Sequence, residues 1–373
     1  MSGTGSIKLG EGDAQLCRPG FWLVPDAGIP RRCELVTNAG TNYTLPLFLP
    51  VYQPRRRVFQ LAIGQKEPEI RGIIVNAYFL YKQREIRKLL TTELTLSDYV
   101  GFKGLIVTDS GAFQSFTRRV YLRNRDIIHF QDCIRSDIIS PLDVVTPPGD
   151  NRRTAEAKLL VTQARVREAL AIVEHGIVAG VQQGGRYLDL RHRAARELLD
   201  MGVRYLAIGS LVPMFNKDHN LEFVGKVLMD ARSAAGPSMP IHVYGAGDPC
   251  ELPFMFALGA NVFDSASYAQ FGHGGWYMTP YGALQDPGPL LAGEYRCSCS
   301  VCTSVSEHIR DVFNDPVALA RHNLATIGAT MTKLQQMTGD DSALNKYLLE
   351  VLEAHMRWFP GSALRRSWEL LHG

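Results

Sequence analysis

The feature that most constrains the fold is an alternation. Eight short apolar runs recur along the chain, over 46–52, 72–77, 104–109, 139–145, 177–183, 205–210, 241–247 and 261–265. Runs this short, bounded by glycine, proline and polar residues, read as strands buried on both faces. Between several of them lie longer segments with apolar residues at helical spacing. "TAEAKLLVTQARVREALAIVEHG" opens on Thr154 and stops at Gly176, and "DLRHRAARELLDMG" ends at Gly202, which is helix start and stop chemistry. Strand and helix alternating about eight times predict an α/β chain folded as a (β/α)8 TIM barrel, in which functional residues stand where the strands end.

Such a barrel gathers Asn76, Asp109, Asp143, Gln183, Ser210, Gly245 with Gly247, and Asp264 at one mouth. Asp264 lies in "NVFDSASYAQFGHGGWYMTPYG" (261–282), after an apolar run and before a polar, glycine-containing segment that reads as too irregular for core. A single aspartate at a strand end is ordinarily a turn former or a helix cap. Three of them converging with a glutamine point to chemistry. Two apposed carboxylates, one nucleophile and one acid/base, cleave a glycosidic bond through a covalent intermediate. A third carboxylate beside an amide suits a guanine-like edge: it accepts from the ring N–H and the exocyclic amine while the amide donates to the carbonyl oxygen.

With 46% hydrophobic and 21% charged residues among 373, the chain can bury one large domain with an appendage. Its formal charge of +3 neither establishes nor excludes a polyanionic partner, which depends on local basic patches. "QPRRRVFQ", with Arg55, Arg56 and Arg57, follows the first run and falls on the strand-end face, and "RRCELV" and "FTRRVYLRNR" add arginines near the same rim. Arginines there suit phosphates, which fix register without reading sequence. No apolar leader opens the chain and no run reaches the roughly 20 apolar residues of a membrane span, so a cytoplasmic protein with no membrane partner is expected.

Seven cysteines are distributed unevenly: Cys17, Cys33, Cys133 and Cys250 stand alone, while Cys297, Cys299 and Cys302 form C-x-C-x2-C. Three thiolates in six residues plus one histidine make a closed tetrahedral zinc site, structural because no coordination position stays open. His308 and His322 both stand downstream as the fourth ligand.

"TDSGAFQSF", "LDVVTPP", "VQQGG", "AIGSLVP", "VYGAGDP", "FDSASYA" and "CSCSVC" with a downstream "RHN" resemble, in this order, the tRNA-guanine transglycosylase family, and "FDSASYA…YMTP" is most similar to its archaeal, archaeosine-forming branch. The resemblance implies Asp264 as nucleophile and Asp109 as acid/base group. It implies Asp143 on the Watson–Crick edge of the base, and Gln183, Gly184 and the backbone around Ser210 on the carbonyl side. Phe113 and Tyr244 occupy the positions that sandwich the purine, and His322 matches the family's zinc histidine. The implied substrates are guanine in tRNA and a free 7-deazaguanine base. "GSLVP" offers no carboxylate to an aminomethyl group, which favours the uncharged 7-cyano base.

The expected organisation is a lead-in over 1–45, a catalytic barrel over 46–290, a zinc-binding subdomain over 291–340 and a helical tail over 341–373. That tail is too short for the RNA-binding domains of the archaeal enzymes, leaving open a separate chain that supplies them, a more accessible substrate, and a homodimer. The same guanine exchange on DNA, and a non-catalytic accessory subunit of the same fold, are the alternatives. Keeping both Asp109 and Asp264 argues against the accessory subunit.

Overall fold

The computed structural model describes residues 34–54, 69–112, 122–215, 218–304 and 309–372. Its strands are β1 (Glu34–Val36), β2 (Asn42–Thr44), β3 (Leu47–Tyr52), β4 (Gly72–Asn76), β5 (Leu105–Asp109), β6 (Ile138–Ile139), β7 (Ile177–Val178), β8 (Gly180–Gln182), β9 (Leu206–Ile208), β10 (Ile241–Val243), β11 (Val262–Ser265), β12 (Tyr277–Thr279) and β13 (Gly282–Leu284). Strands β3 to β11 form one parallel sheet in the order β7-β6-β5-β4-β3-β11-β10-β9-β8. Its two ends, β7 and β8, are separated in sequence only by Ala179. They are two halves of one strand, the first paired with β6 and the second with β9. The eight expected runs therefore close into a (β/α)8 barrel with helices around it.

Period-two alternation sorts each strand between two cores. Leu105 and Val107 of β5 point into the barrel lumen with Leu47, Leu49, Ile74, Val181, Ala207 and Val262. Ile106 lies instead in the outer layer with Ile73, Val75, Val243 and Phe263, against the helices. Each fully buried Leu or Val contributes about 1.5–3 kcal/mol. At the N-terminal end the β1–β2 hairpin closes the lumen, where Leu35 and Leu45 join the inner cluster.

Helices follow from amphipathic spacing and caps. Asn151 caps Arg152–Ile172 by accepting from the Thr154 N–H, and Asp315 caps Pro316–Met337. The latter helix lies against β3, where Gln335 Nε2 donates to the Pro46 carbonyl at 2.7 Å. The stretch after Asp264 departs from expectation. Far from irregular surface, it forms the helix Ser267–His273 and the β12–β13 hairpin, burying Tyr268, Tyr277 and Met278. Its backbone groups are satisfied from the helix Pro316–Met337: Asn323 accepts from the Met278 N–H at 2.9 Å and donates to the Trp276 carbonyl at 2.9 Å. The chain ends in the helices Asp341–Trp358 and Leu364–His372. Among the described residues no helix is long and apolar enough to cross a membrane.

Candidate active site

The inward parity that fills the lumen continues to the strand ends, where apolar residues give way to polar ones. Above Leu105 and Val107 comes Asp109, above Ile74 comes Asn76, and above Val262 comes Asp264. Asp143 follows β6, Gln183 follows β8, Ser210 follows β9 and Tyr244 follows β10. These residues surround a cavity of about 530 Å³ at the C-terminal mouth, which Asp109, Asp143, Ser210, Tyr244 and Asp264 line directly. Gln183 is fully buried just behind this surface.

Each carboxylate is held differently. Asp264 accepts at Oδ1 from His242 Nε2 at 2.9 Å and from the Gly245 N–H at 3.1 Å. Oδ2 has no partner among the described residues, so one oxygen is fixed and the other is available to the cavity. His242 is itself oriented: its Nδ1 accepts from the Tyr205 hydroxyl at 2.9 Å, and both rings are fully buried. Tyr205 and His242 were not among the residues expected from the sequence. A histidine at inward parity in the otherwise apolar "IHV" was the available signal.

Asp109 accepts from Asn76 Nδ2 at 2.6 Å and from the Gly111 N–H at 3.0 Å. The Gly111 bond is the local turn expected of a strand-end aspartate. Burial raises its pKa to about 6, opposed by the Gly111 bond and reinforced by the charge of Asp264. Asp143 is raised further, to about 7, by burial and then by Asp109. A site with two carboxyls titrating near neutrality can both give and take protons.

Asp143, Gln183, Ser210 and Thr146 form one chain of bonds. Gln183 Nε2 donates to Asp143 Oδ2 at 2.6 Å, the Ser210 hydroxyl donates to Gln183 Oε1 at 2.8 Å, and the Thr146 N–H donates to Ser210 Oγ at 2.8 Å. Ser210 adopts a left-handed φ of 59°, which turns its side chain back to Gln183. Gly209 leaves room for this chain of bonds: a Cβ there would stand 2.6 Å from Gln183 Nε2, so Gln183, bonded at both ends of its amide, would have to shift. Gly184 does not line the cavity; its φ of 144° and a Cβ position 2.9 Å from the Arg191 backbone nitrogen mark a close backbone turn after Gln183. Tyr244 lines the cavity with its hydroxyl hydrogen-bonded to Ser140 Oγ at 2.9 Å. Phe113 and the run Arg55, Arg56, Arg57 lie outside the described residues. Of the other expected rim arginines, Arg123 is paired with Asp126 at 2.8 Å.

Away from the cavity, Cys297, Cys299, Cys302 and His322 converge, their ligand atoms within 4.8 Å of one another. Cys299 Sγ and Cys302 Sγ lie 3.6 and 3.4 Å from His322 Nδ1, while His322 Nε2–H donates to the Met278 carbonyl at 2.8 Å. That second bond leaves Nδ1 as the coordinating nitrogen, the arrangement metal-bound histidines adopt. Tyr277 stacks on the His322 ring at 3.6 Å. Burial disfavours a charged His322, yet contact with Cys297 and Cys299 outweighs it and pushes the pKa up to about 9, so this cluster attracts positive charge. The four residues could hold a metal ion. His308 lies outside the described residues.

A family model described as queuine tRNA-ribosyltransferase matches residues 26–356. The chain is similar to a tRNA-guanine(15) transglycosylase of Methanosarcina mazei, 35% identical over 345 residues that cover 91% of this chain and 67% of that protein. A protein of the same name from Pyrococcus abyssi is 35% identical over 80% of this chain and 50% of its own length. One from Methanopyrus kandleri is 31% identical over 93% of this chain and 75% of its own length. The chain thus spans between half and three quarters of the length of these relatives.

Proposed function

The chain belongs to the queuine tRNA-ribosyltransferase family, and from that premise we propose that it is a pentosyltransferase replacing guanine in tRNA by a 7-deazaguanine through a covalent ribosyl-aspartate intermediate. The observation that carries this reading is Asp264: one oxygen pinned by His242 and Gly245, the other without a partner among the described residues and open to a cavity shared with Asp109.

In the first half-reaction Asp264 Oδ2 attacks the anomeric carbon of a flipped-out guanosine. The bond from that carbon to the base nitrogen breaks, its electron pair leaves with guanine, and a proton from Asp109 neutralises the departing base. A pKa near 6 suits that donation and the return step. The incoming base then gives its proton to the Asp109 carboxylate and attacks the same carbon, restoring Asp264 as a carboxylate.

Asp143 takes the N–H groups of the Watson–Crick edge, and Gln183 supplies the amide that now donates to Asp143. Tyr244 presents one wall of the stack, and the family resemblance supplies Phe113 as its counterpart. Val212 and Pro213 line the cavity from the "GSLVP" segment with no carboxylate among them, favouring the uncharged 7-cyano base over an aminomethyl one. Cys297, Cys299, Cys302 and His322 would hold a Zn²⁺ whose closed ligand set leaves it a structural role outside the reaction.

Radiolabelled guanine exchange on matched tRNA and double-stranded DNA, competed by 7-cyano and 7-aminomethyl 7-deazaguanine, tests the proposal. Labelling of tRNA, blocked better by the cyano compound, is expected. Labelling confined to DNA would replace tRNA as substrate, preference for the aminomethyl base would remove the argument from "GSLVP", and no exchange on either polymer would sink the reading.

A further inference from the structure

We propose that His219, Cys250 and His355, with Glu251 beside them, form a second site for a zinc-like divalent cation at the rim of the barrel mouth. The three come from separate segments. His219 lies in the connection after β9, Cys250 follows β10, and His355 sits on the helix Asp341–Trp358. A ring nitrogen of each histidine and the Cys250 sulfur lie within 4.8 Å of one another, the same mutual proximity as in the Cys297 cluster. Cys250 Sγ is 3.7 Å from His219 Nδ1, close to the 3.6 Å between Cys299 Sγ and His322 Nδ1.

The donors are chemically suited to such an ion. Two imidazoles, a thiol and a carboxylate are the ligand types of tetrahedral zinc, and a hard cation such as magnesium would not choose them. Cys250 and His355 are fully buried and Glu251 is 6% exposed, while the His219 side chain is 14% exposed, so water reaches the site from the His219 side. The His355 Nδ1–H donates to the Tyr281 carbonyl at 2.7 Å, which leaves the lone pair on Nε2. That lone pair faces the Ser362 hydroxyl at 2.7 Å, and an ion would take its place while the hydroxyl turns to the Asp218 carbonyl at 3.3 Å. His219 contacts Glu251 Oε1 at 2.8 Å and holds a left-handed φ of 54°. A non-glycine residue persists there only where its surroundings fix it.

An ion there has a consequence for the base cavity. The segment carrying His219 also carries Val212, a cavity wall, and its Asp218 carbonyl accepts from the Ala363 N–H at 2.6 Å, so a cation would pin that wall to the C-terminal helices. The inference stands independently of the base-exchange reading.

Zinc and cobalt titration of the metal-stripped full chain, read by elemental analysis and by thiolate-to-cobalt absorption, decides it. The expected result is two cations per chain. Cys250→Ser and His355→Gln should each leave one, held at the Cys297 cluster, and that retained ion serves as the control for folding. Glu251→Gln should weaken the second ion at least about tenfold, since a charged donor is lost. The proposal is overturned if stoichiometry is the same in wild type, Cys250→Ser and His355→Gln. Should both variants fail to fold, wild type decides alone: saturation at one equivalent of cobalt overturns the second site, and a second equivalent with a single-thiolate spectrum supports it.

Discussion

Replacing His242 by leucine removes one of the two donors that fix Asp264 Oδ1. A hydrogen bond to a charged group is worth about 1.5–3 kcal/mol. If that orientation is expressed in the transition state, at 1.36 kcal/mol per decade the exchange rate should fall roughly 10- to 150-fold. The substitution also leaves the Tyr205 hydroxyl buried without its acceptor, costing about 1–3 kcal/mol of stability. Combining it with Tyr205→Phe separates the two effects, since the orphaned hydroxyl disappears while Asp264 remains half-held. Thermal melts and single-turnover exchange of labelled guanine on tRNA should show stability largely recovered and the rate still depressed. A double variant exchanging within about twofold of wild type would refute the claim that His242 positions Asp264.

Asp143→Asn should stabilise the fold above pH 7. Burial raises the Asp143 pKa to about 7, so the native state binds a proton that the unfolded chain, near 4, has lost, and stability falls as pH climbs between those values. Melts should show a gain of up to a few kcal/mol at pH 8 that vanishes below about pH 4. Gly209→Ala, placing a methyl 2.6 Å from Gln183 Nε2, should raise KM for the base at least about tenfold with little change in far-ultraviolet circular dichroism. Cys299→Ala should lower the melting temperature before it affects chemistry, whereas a metal-free, well-folded and active variant would contradict a structural ion. Neutralising Arg55, Arg56 and Arg57 should flatten the salt dependence of tRNA binding by about 0.7 in log–log slope per lost phosphate contact, and an unchanged slope would move the run off the interface.

The barrel was legible because buried parallel strands leave a strong signal: short apolar runs of fixed parity, ended by polar residues. Parity also explains why Asp109 and Asp264 were visible, since each continues an inward series at the position where the lumen meets solvent. Where the signal failed, the reason is nearly always tertiary. The segment that follows Asp264, to residue 282, looked irregular because its hydrogen bonds are satisfied by Asn323 and Thr326, residues some 45 positions away. His219, Cys250 and His355 carry no local spacing, and only the fold brings them together. His242 sits inside β10 and Tyr205 immediately before β9, each beside apolar residues, so their polar role surfaced only when the sheet aligned them behind Asp264.

The central claim is that Asp264 forms a covalent bond to the sugar. Incubation with tRNA and a slow-reacting base analogue, followed by denaturation, nuclease digestion and peptide mass spectrometry, tests it most directly. A denaturation-resistant adduct mapping to the peptide that contains Asp264, and absent from Asp264→Asn, is the predicted result. An adduct that survives Asp264→Asn, or guanine exchange that proceeds with no adduct at any time point, would contradict it.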